Sequence, residues 1–333
     1  MRRVITILPA LLVAAGIGLY LFGASRHDYA TREQFEQQRS EVFQRLGIQA
    51  QSRFVTLEDP AIETHFLELG SGPPVVVIHG GGGDGSGWTP ILEPLSRELR
   101  LLVPDRPGHG LTDSFDYSGV DFRRHAVSFV ESFLDSQNLD RVSFIGNSMG
   151  GFFSLVFALE HPERVEKLVL IGAPAGIDME IPLPMRVMAM PGVNDWLATV
   201  MSGFRGGEPP ELPPFLVAQP HLIPSDHLVM GDLAARLPGV QESFRSMLEE
   251  VLTIQGFNPA YYIRDELDRV KAPTLFIWGG QDMFAPPQSG EEAIEQMPNA
   301  RIEIIPDVGH LPWMEAPELS AELISDFLRP NPE

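Results

Sequence analysis

The chain has 333 residues, 44% of them hydrophobic, enough for one large α/β domain or two small ones. A formal net charge of −21 disfavours a nucleic-acid partner, because the phosphate backbone would be repelled. With no cysteine, disulfides, thiolate catalysis and cysteine metal sites are excluded, and neither a metal nor another cofactor is expected.

Residues 4–22 (VITILPALLVAAGIGLYLF) are apolar almost throughout, with Arg2-Arg3 before them and Arg26 after. As a helix they would measure ~28 Å, about the hydrocarbon thickness of a bilayer. A cleaved signal peptide usually has a shorter apolar region of roughly 7–15 residues. Phe22 would also fall at a position that wants a small residue for cleavage after Ala24. The reading taken is a single-pass transmembrane helix over residues 1–25, membrane-anchoring the protein. Arginines on both sides leave the positive-inside balance nearly even. The Sec-like start favours a domain on the extracytoplasmic side.

Residues 31–46 read as a juxtamembrane helix within segment 26–50, since Thr31 with Gln34 is a capping-box pattern and Phe35, Val42, Phe43 and Leu46 share a stripe. An ordinary N-terminal helix covering a sheet edge fits the same pattern. Strands follow at 53–57 and 64–69, with a turn at Asp59-Pro60, and a fully apolar strand at 75–78. After a glycine-rich loop the pattern gives a helix to about Leu99, a strand at 101–103, a helix over 122–139, a strand at 142–145, a helix to Glu160 and a strand at 168–171. Short-range alternation of strands and helices predicts an α/β fold with a mostly parallel eight-stranded sheet covered on both faces. Residues 173–269 break that rhythm. They are rich in Pro and Met, with helical patches at 196–204 and 244–253, and are too long for a plain connection. An inserted cap is expected there, between core segments 51–172 and 270–333. Strands resume at 274–278 and 301–305, and a last helix spans 317–328.

The chemistry centres on Gly146-Asn147-Ser148-Met149-Gly150, a G-x-S-x-G turn between an apolar strand and an apolar helix. Such a turn hoists a serine hydroxyl onto a sharp corner. A serine needs a base, and the base needs an orienting acid. Asp282 follows the strand at 274–278 and His310 follows the strand at 301–305, so both should project to the rim that carries Ser148. Asp307 and Asp178 are the alternative acids. The oxyanion of a tetrahedral intermediate needs backbone N–H donors, for which Met149 and Gly81, with Gly82 as fallback, are the candidates.

Gly80-x-Gly82-x-x-Gly85 with Asp105 twenty residues on formally matches a dinucleotide fingerprint. His79 interrupts the strand-to-glycine junction, and residues 86–90 postpone the helix that would hold a pyrophosphate, so that reading is rejected. The Asp105-Arg106-Pro107-Gly108-His109-Gly110 stretch reads instead as a structural turn walling the site.

Taken together, HGGGGDGSGW, DRPGHGLTD, GNSMGG, WGGQD and VGHLPW resemble, in order, the motifs of the α/β-hydrolase superfamily. Its meta-cleavage-product hydrolases and membrane-anchored monoacylglycerol-lipase-like hydrolases are the most similar. Ser148 departs from dehalogenases and epoxide hydrolases, which carry aspartate there. Leu311 departs from the aromatic residue usual in carbon–carbon hydrolases. The resemblance implies an α/β-hydrolase fold and a serine hydrolase that cleaves carboxylic esters through an acyl-enzyme intermediate. The Met-rich cap adds a lipophilic small-molecule substrate as the expected partner. Two other readings stand beside it: a carbon–carbon bond hydrolase, and a non-catalytic anchored binding domain.

Overall fold

The computed structural model describes residues 29–193, 212 and 215–329. The apolar segment 4–22 and the helical patch expected at 196–204 lie outside these residues. No helix among the described residues is long and apolar enough to cross a membrane.

The core begins with α1 (Arg32–Leu46), β1 (Gln51–Glu58), β2 (Ala61–Leu69), β3 (Pro74–Ile78), α2 (Thr89–Ser96) and β4 (Arg100–Pro104). It continues with α3 (Phe122–Ser136), β5 (Val142–Asn147), α4 (Met149–Glu160) and β6 (Val165–Ile171). The segment expected as a cap holds α5 (Leu183–Met188), α6 (Ser225–Ala235), α7 (Val240–Val251) and a small hairpin of β7 (Leu252–Thr253) and β8 (Gly256–Phe257). The chain then returns to β9 (Thr274–Gly279), α8 (Pro287–Ile294), β10 (Ala300–Ile305), α9 (Pro312–Glu315) and α10 (Pro317–Leu328).

One eight-stranded sheet runs β1-β2-β4-β3-β5-β6-β9-β10. Strand β2 pairs antiparallel with β1 and β4, and all later neighbours are parallel. Strands β5 and β9 are buried at every position because both faces of the sheet are covered, and most of their residues are apolar. Val76, Ile78, Phe144 and Phe276 face the layer of α3 and α4, whereas Val75, Val77, Ile145 and Ile277 face α2 and α10. Full burial of such a side chain contributes roughly 2 kcal/mol.

Local chemistry sets the boundaries. Asp121 caps α3 by accepting from the Arg124 amide, and Phe122, Ala126, Phe129 and Phe133 form its buried stripe. The helix stops at Ser136, short of the expected 139, because Asn138 turns left-handed at φ 54°. Helix α1 starts with the capping box read from Thr31 and Gln34 and docks on the domain, packing against α6. Its buried Arg39 reaches the sheet edge, donating to Ser52 Oγ at 3.2 Å.

Candidate active site

Strand β5 and helix α4 meet at Ser148, whose φ of 50° and ψ of −112° lie outside the regions favoured by side-chain-bearing residues. The neighbours hold this corner. Ser148 O accepts from Phe152 N and Ala175 N, both at 3.0 Å. A Cβ on Gly150 would sit 2.1 Å from Ile78 O and 2.7 Å from His79 O, so α4 can approach the end of β3 only with glycine there. Replacing Gly150 by alanine is expected to force helix and strand apart and cost ~3 kcal/mol, the upper range for overpacking. Chemical denaturation against wild type checks it; an unchanged midpoint overturns the account.

Strands β9 and β10 end beside this corner. Asp282 and His310 are buried, and His310 Nδ1 lies 2.8 Å from Asp282 Oδ2. The same carboxylate oxygen accepts from Ala173 N at 3.0 Å, while Oδ1 accepts from Phe284 N at 2.9 Å. The Phe284 ring lies against the imidazole, with centroids 4.2 Å apart. Asn147 links the two loops, donating to Ile171 O at 2.7 Å and His310 O at 3.3 Å. The alternative acids have other partners: Asp307 accepts from Gln281 Nε2, and Asp178 accepts from Ser289 Oγ and Glu180 N.

The loop after β3 is held from behind by Arg106. Its fully buried guanidinium donates to His79 O at 3.2 Å, Gly80 O at 2.8 Å and Gly81 O at 3.0 Å. In a trans peptide the C=O and the following N–H point in opposite directions. With the Gly80 carbonyl turned to Arg106, the Gly81 N–H is turned away from it. Gly81 borders the cavity shared with Ser148. The Gly82 N–H follows by the same geometry. Met149 is the first residue of α4, where the N–H has no acceptor within its own helix. Burial pulls the Arg106 pKa down to about 10, so the group stays cationic near neutrality. Burial, followed by the nearby Arg106 charge, pulls His109 down to about 3, leaving a neutral ring whose Nε2 lies 2.6 Å from Gly81 O.

Ser148, Met149, Gly81 and His310 all line one cavity of about 230 Å³. Asp282 stands behind His310, outside the lining. Much of the remaining wall comes from the 173–269 segment, including Met185, Phe215, Met230, Phe244 and Met247, and the core adds Trp88, Phe284, Leu311 and Met314. Among the described lining residues none is lysine or arginine; the charged ones are Asp84 and Asp178.

A model of the alpha/beta hydrolase fold matches residues 73–317. The chain belongs to the α/β-hydrolase family.

This hydrolase is 32% identical over 305 residues to the 2-hydroxy-6-oxononadienedioate/2-hydroxy-6-oxononatrienedioate hydrolase 1 of Dechloromonas aromatica, covering 87% of this chain and 99% of that relative. It is 29% identical over 296 residues to the 2-hydroxy-6-oxo-6-phenylhexa-2,4-dienoate hydrolase of Burkholderia cepacia, covering 83% and 96%. The crystal structure of a membrane phospholipase A superposes with a TM-score of 0.67 at 24% identity, covering 98% of each chain. That likeness speaks to the fold alone.

Several residues of the hydrolase bind partners that no local sequence pattern announces. Glu315 accepts from Gly309 N and Gln219 N, both at 2.7 Å, and so ties the His310 loop to segment 215–219. Its signal was a lone acid inside the apolar run LPWME. Trp313 stacks on Trp88 with centroids 4.2 Å apart and donates to Gly87 O at 2.9 Å, joining the histidine loop to the glycine loop. Asp105, the false dinucleotide acid, instead binds His65 Nδ1 at 2.7 Å, Gly85 N at 2.7 Å and Leu111 N at 2.9 Å. Burial opposes its ionisation, but the His65 ring outweighs that and brings it down to about 2.

Proposed function

We propose that this hydrolase cleaves neutral, lipophilic carboxylic esters through an acyl-enzyme intermediate. The observation that carries the reading is the cavity: apolar walls, with no cationic side chain among its described lining residues. A carboxylate taken out of water needs a paired cation or several donors. A neutral ester needs neither.

In the proposed sequence His310 Nε2 takes the Ser148 proton as Oγ attacks the ester carbonyl. Asp282 holds Nδ1–H and stabilises the imidazolium that forms. The Gly81 and Met149 amides receive the oxyanion. The imidazolium then gives its proton to the departing alcohol, leaving Ser148 acylated. Water, deprotonated by the same imidazole, releases the acid and restores the serine. The apolar segment 4–22 would hold this machinery at a membrane, with the catalytic domain on the extracytoplasmic side. Ala30 N donates to Arg236 O at the end of α6, which fastens the first described residues to the domain. The anchored domain would then meet its substrate at the lipid surface.

A carbon–carbon bond hydrolase is the second reading, favoured by the 32% identity to a dienedioate hydrolase. Side-by-side assay of medium-chain nitrophenyl esters and a ring-cleavage dienoate separates the two. The expected result is a kcat/KM at least about a hundredfold higher on the esters. The reverse order overturns the proposal.

A further inference from the structure

Most polar atoms on the cavity wall already have partners. Both ring nitrogens of His79 are engaged, by Arg106 N and Gly80 O, and both carboxylate oxygens of Asp178 are taken. Beyond the groups assigned to the chemistry, three described side chains keep an unpartnered polar atom: one donor, the buried Trp88 Nε1, which a hydroxyl oxygen can accept from, and two acceptors. Asp84 takes the Ser86 amide and hydroxyl on Oδ1, and its Oδ2 bonds none of the described residues. His227 Nε2 is buried with no partner. Both residues line the cavity, and each is only 6% exposed.

They come from touching elements. Asp84 caps the short turn Gly85–Trp88, and α6, which carries His227, packs on that turn. The state of the His227 ring follows from its neighbour. Asp226 Oδ1 lies 3.3 Å from His227 Nδ1, and Arg45 holds the other Asp226 oxygen at 2.7 Å. Nδ1 therefore carries the proton, and Nε2 presents a lone pair. Burial lowers the His227 pKa and keeps the ring neutral. Burial, reinforced by the Asp105 charge, raises Asp84 to about 6.

Two hydrogen-bond acceptors inside an apolar cavity call for a donor on the ligand. A second carboxylate would be repelled there, and a quaternary ammonium would leave the lone pair of Nε2 without a proton. We propose that Asp84 and His227 form a subsite for hydroxyl groups, so that the preferred ester carries free hydroxyls on its alcohol or its acyl part. This rests on the ester reading above, and the experiment is chosen to separate the two.

The full chain is titrated by calorimetry with 1-O-decylglycerol and with decyl methyl ether, neither of which can be hydrolysed. Wild type should bind the glycerol ether about tenfold more tightly, the scale of one hydrogen bond to a charged or buried acceptor. In Asp84→Asn and His227→Leu that preference should shrink to about threefold or less. Equal affinities in wild type, or an undiminished preference in both variants, overturn the subsite. So does tighter binding of a trimethylammonium-bearing ether. A protein that hydrolyses no ester yet keeps the preference supports the subsite while refuting the ester reading. Turnover of monodecanoylglycerol and of an ethyl hydroxydecanoate, each relative to ethyl decanoate, then assigns the hydroxyls to the alcohol or to the acyl part.

Discussion

Replacing Ser148 by alanine is expected to lower kcat on a medium-chain ester by roughly 10⁴-fold or more, because removing the nucleophile disables the whole proton relay. The folding cost should be small. Ser148 Oγ caps no helix end, and its strained backbone is held by bonds to its carbonyl, which alanine retains. Asp282→Asn should come close behind, at ~10⁴-fold, since an amide cannot hold the Nδ1–H tautomer as the carboxylate does. Initial rates, thermal melts and labelling by a fluorophosphonate probe distinguish the cases. A Ser148→Ala protein within tenfold of wild type sinks the assignment. A wild type that never reacts with the probe points to a binding domain that merely wears this fold.

The parts of this site that were legible in the sequence are those built from neighbours along the chain. The elbow is five consecutive residues, and its strand and helix can be read from the apolar runs on either side. Asp282 and His310 were legible because each follows a strand directly, and parallel strands deliver their C-terminal ends to one edge. Residues that act through distant backbone were harder to see. Arg106 in a Pro-Gly turn looks like a solvated charge, yet it is fully buried against carbonyls more than twenty residues earlier. Glu315 binds an amide 96 positions away, and no local pattern encodes that partner. Arg39 looks like one more polar position on an amphipathic helix, but it is buried where α1 meets the sheet edge. The limit on the α3 boundary was similar, since Asn138 could continue a helix or leave it and only the packing decides.

Arg106 carries the second large expectation. Its guanidinium meets no carboxylate among the described residues. Its partners are the carbonyls of residues 79–81, the Met247 sulfur at 3.4 Å and the Phe153 ring at 5.4 Å. Guanidinium suits the task because it is weakly hydrated and offers five donors in a fixed plane. Lysine keeps the charge but presents one compact ammonium that cannot match that fork, and glutamine loses the charge as well. In either variant some buried carbonyls lose their donor, at about 1–3 kcal/mol each. A net loss of ~2–5 kcal/mol in unfolding free energy is expected for Arg106→Gln, with Arg106→Lys smaller. The catalytic effect is separate and more telling. Once the carbonyls of Gly80 and Gly81 are free to rotate, the amides on the opposite side of the same peptides lose their aim. Loss of an oxyanion donor costs ~10²–10³-fold in kcat. Because that bond strengthens only in the transition state, kcat and kcat/KM should fall together while KM stays within a fewfold. Denaturant melts and steady-state kinetics on the same preparations measure both. A variant that loses stability but keeps kcat would make Arg106 a packing residue and move the source of the oxyanion donors elsewhere in the loop.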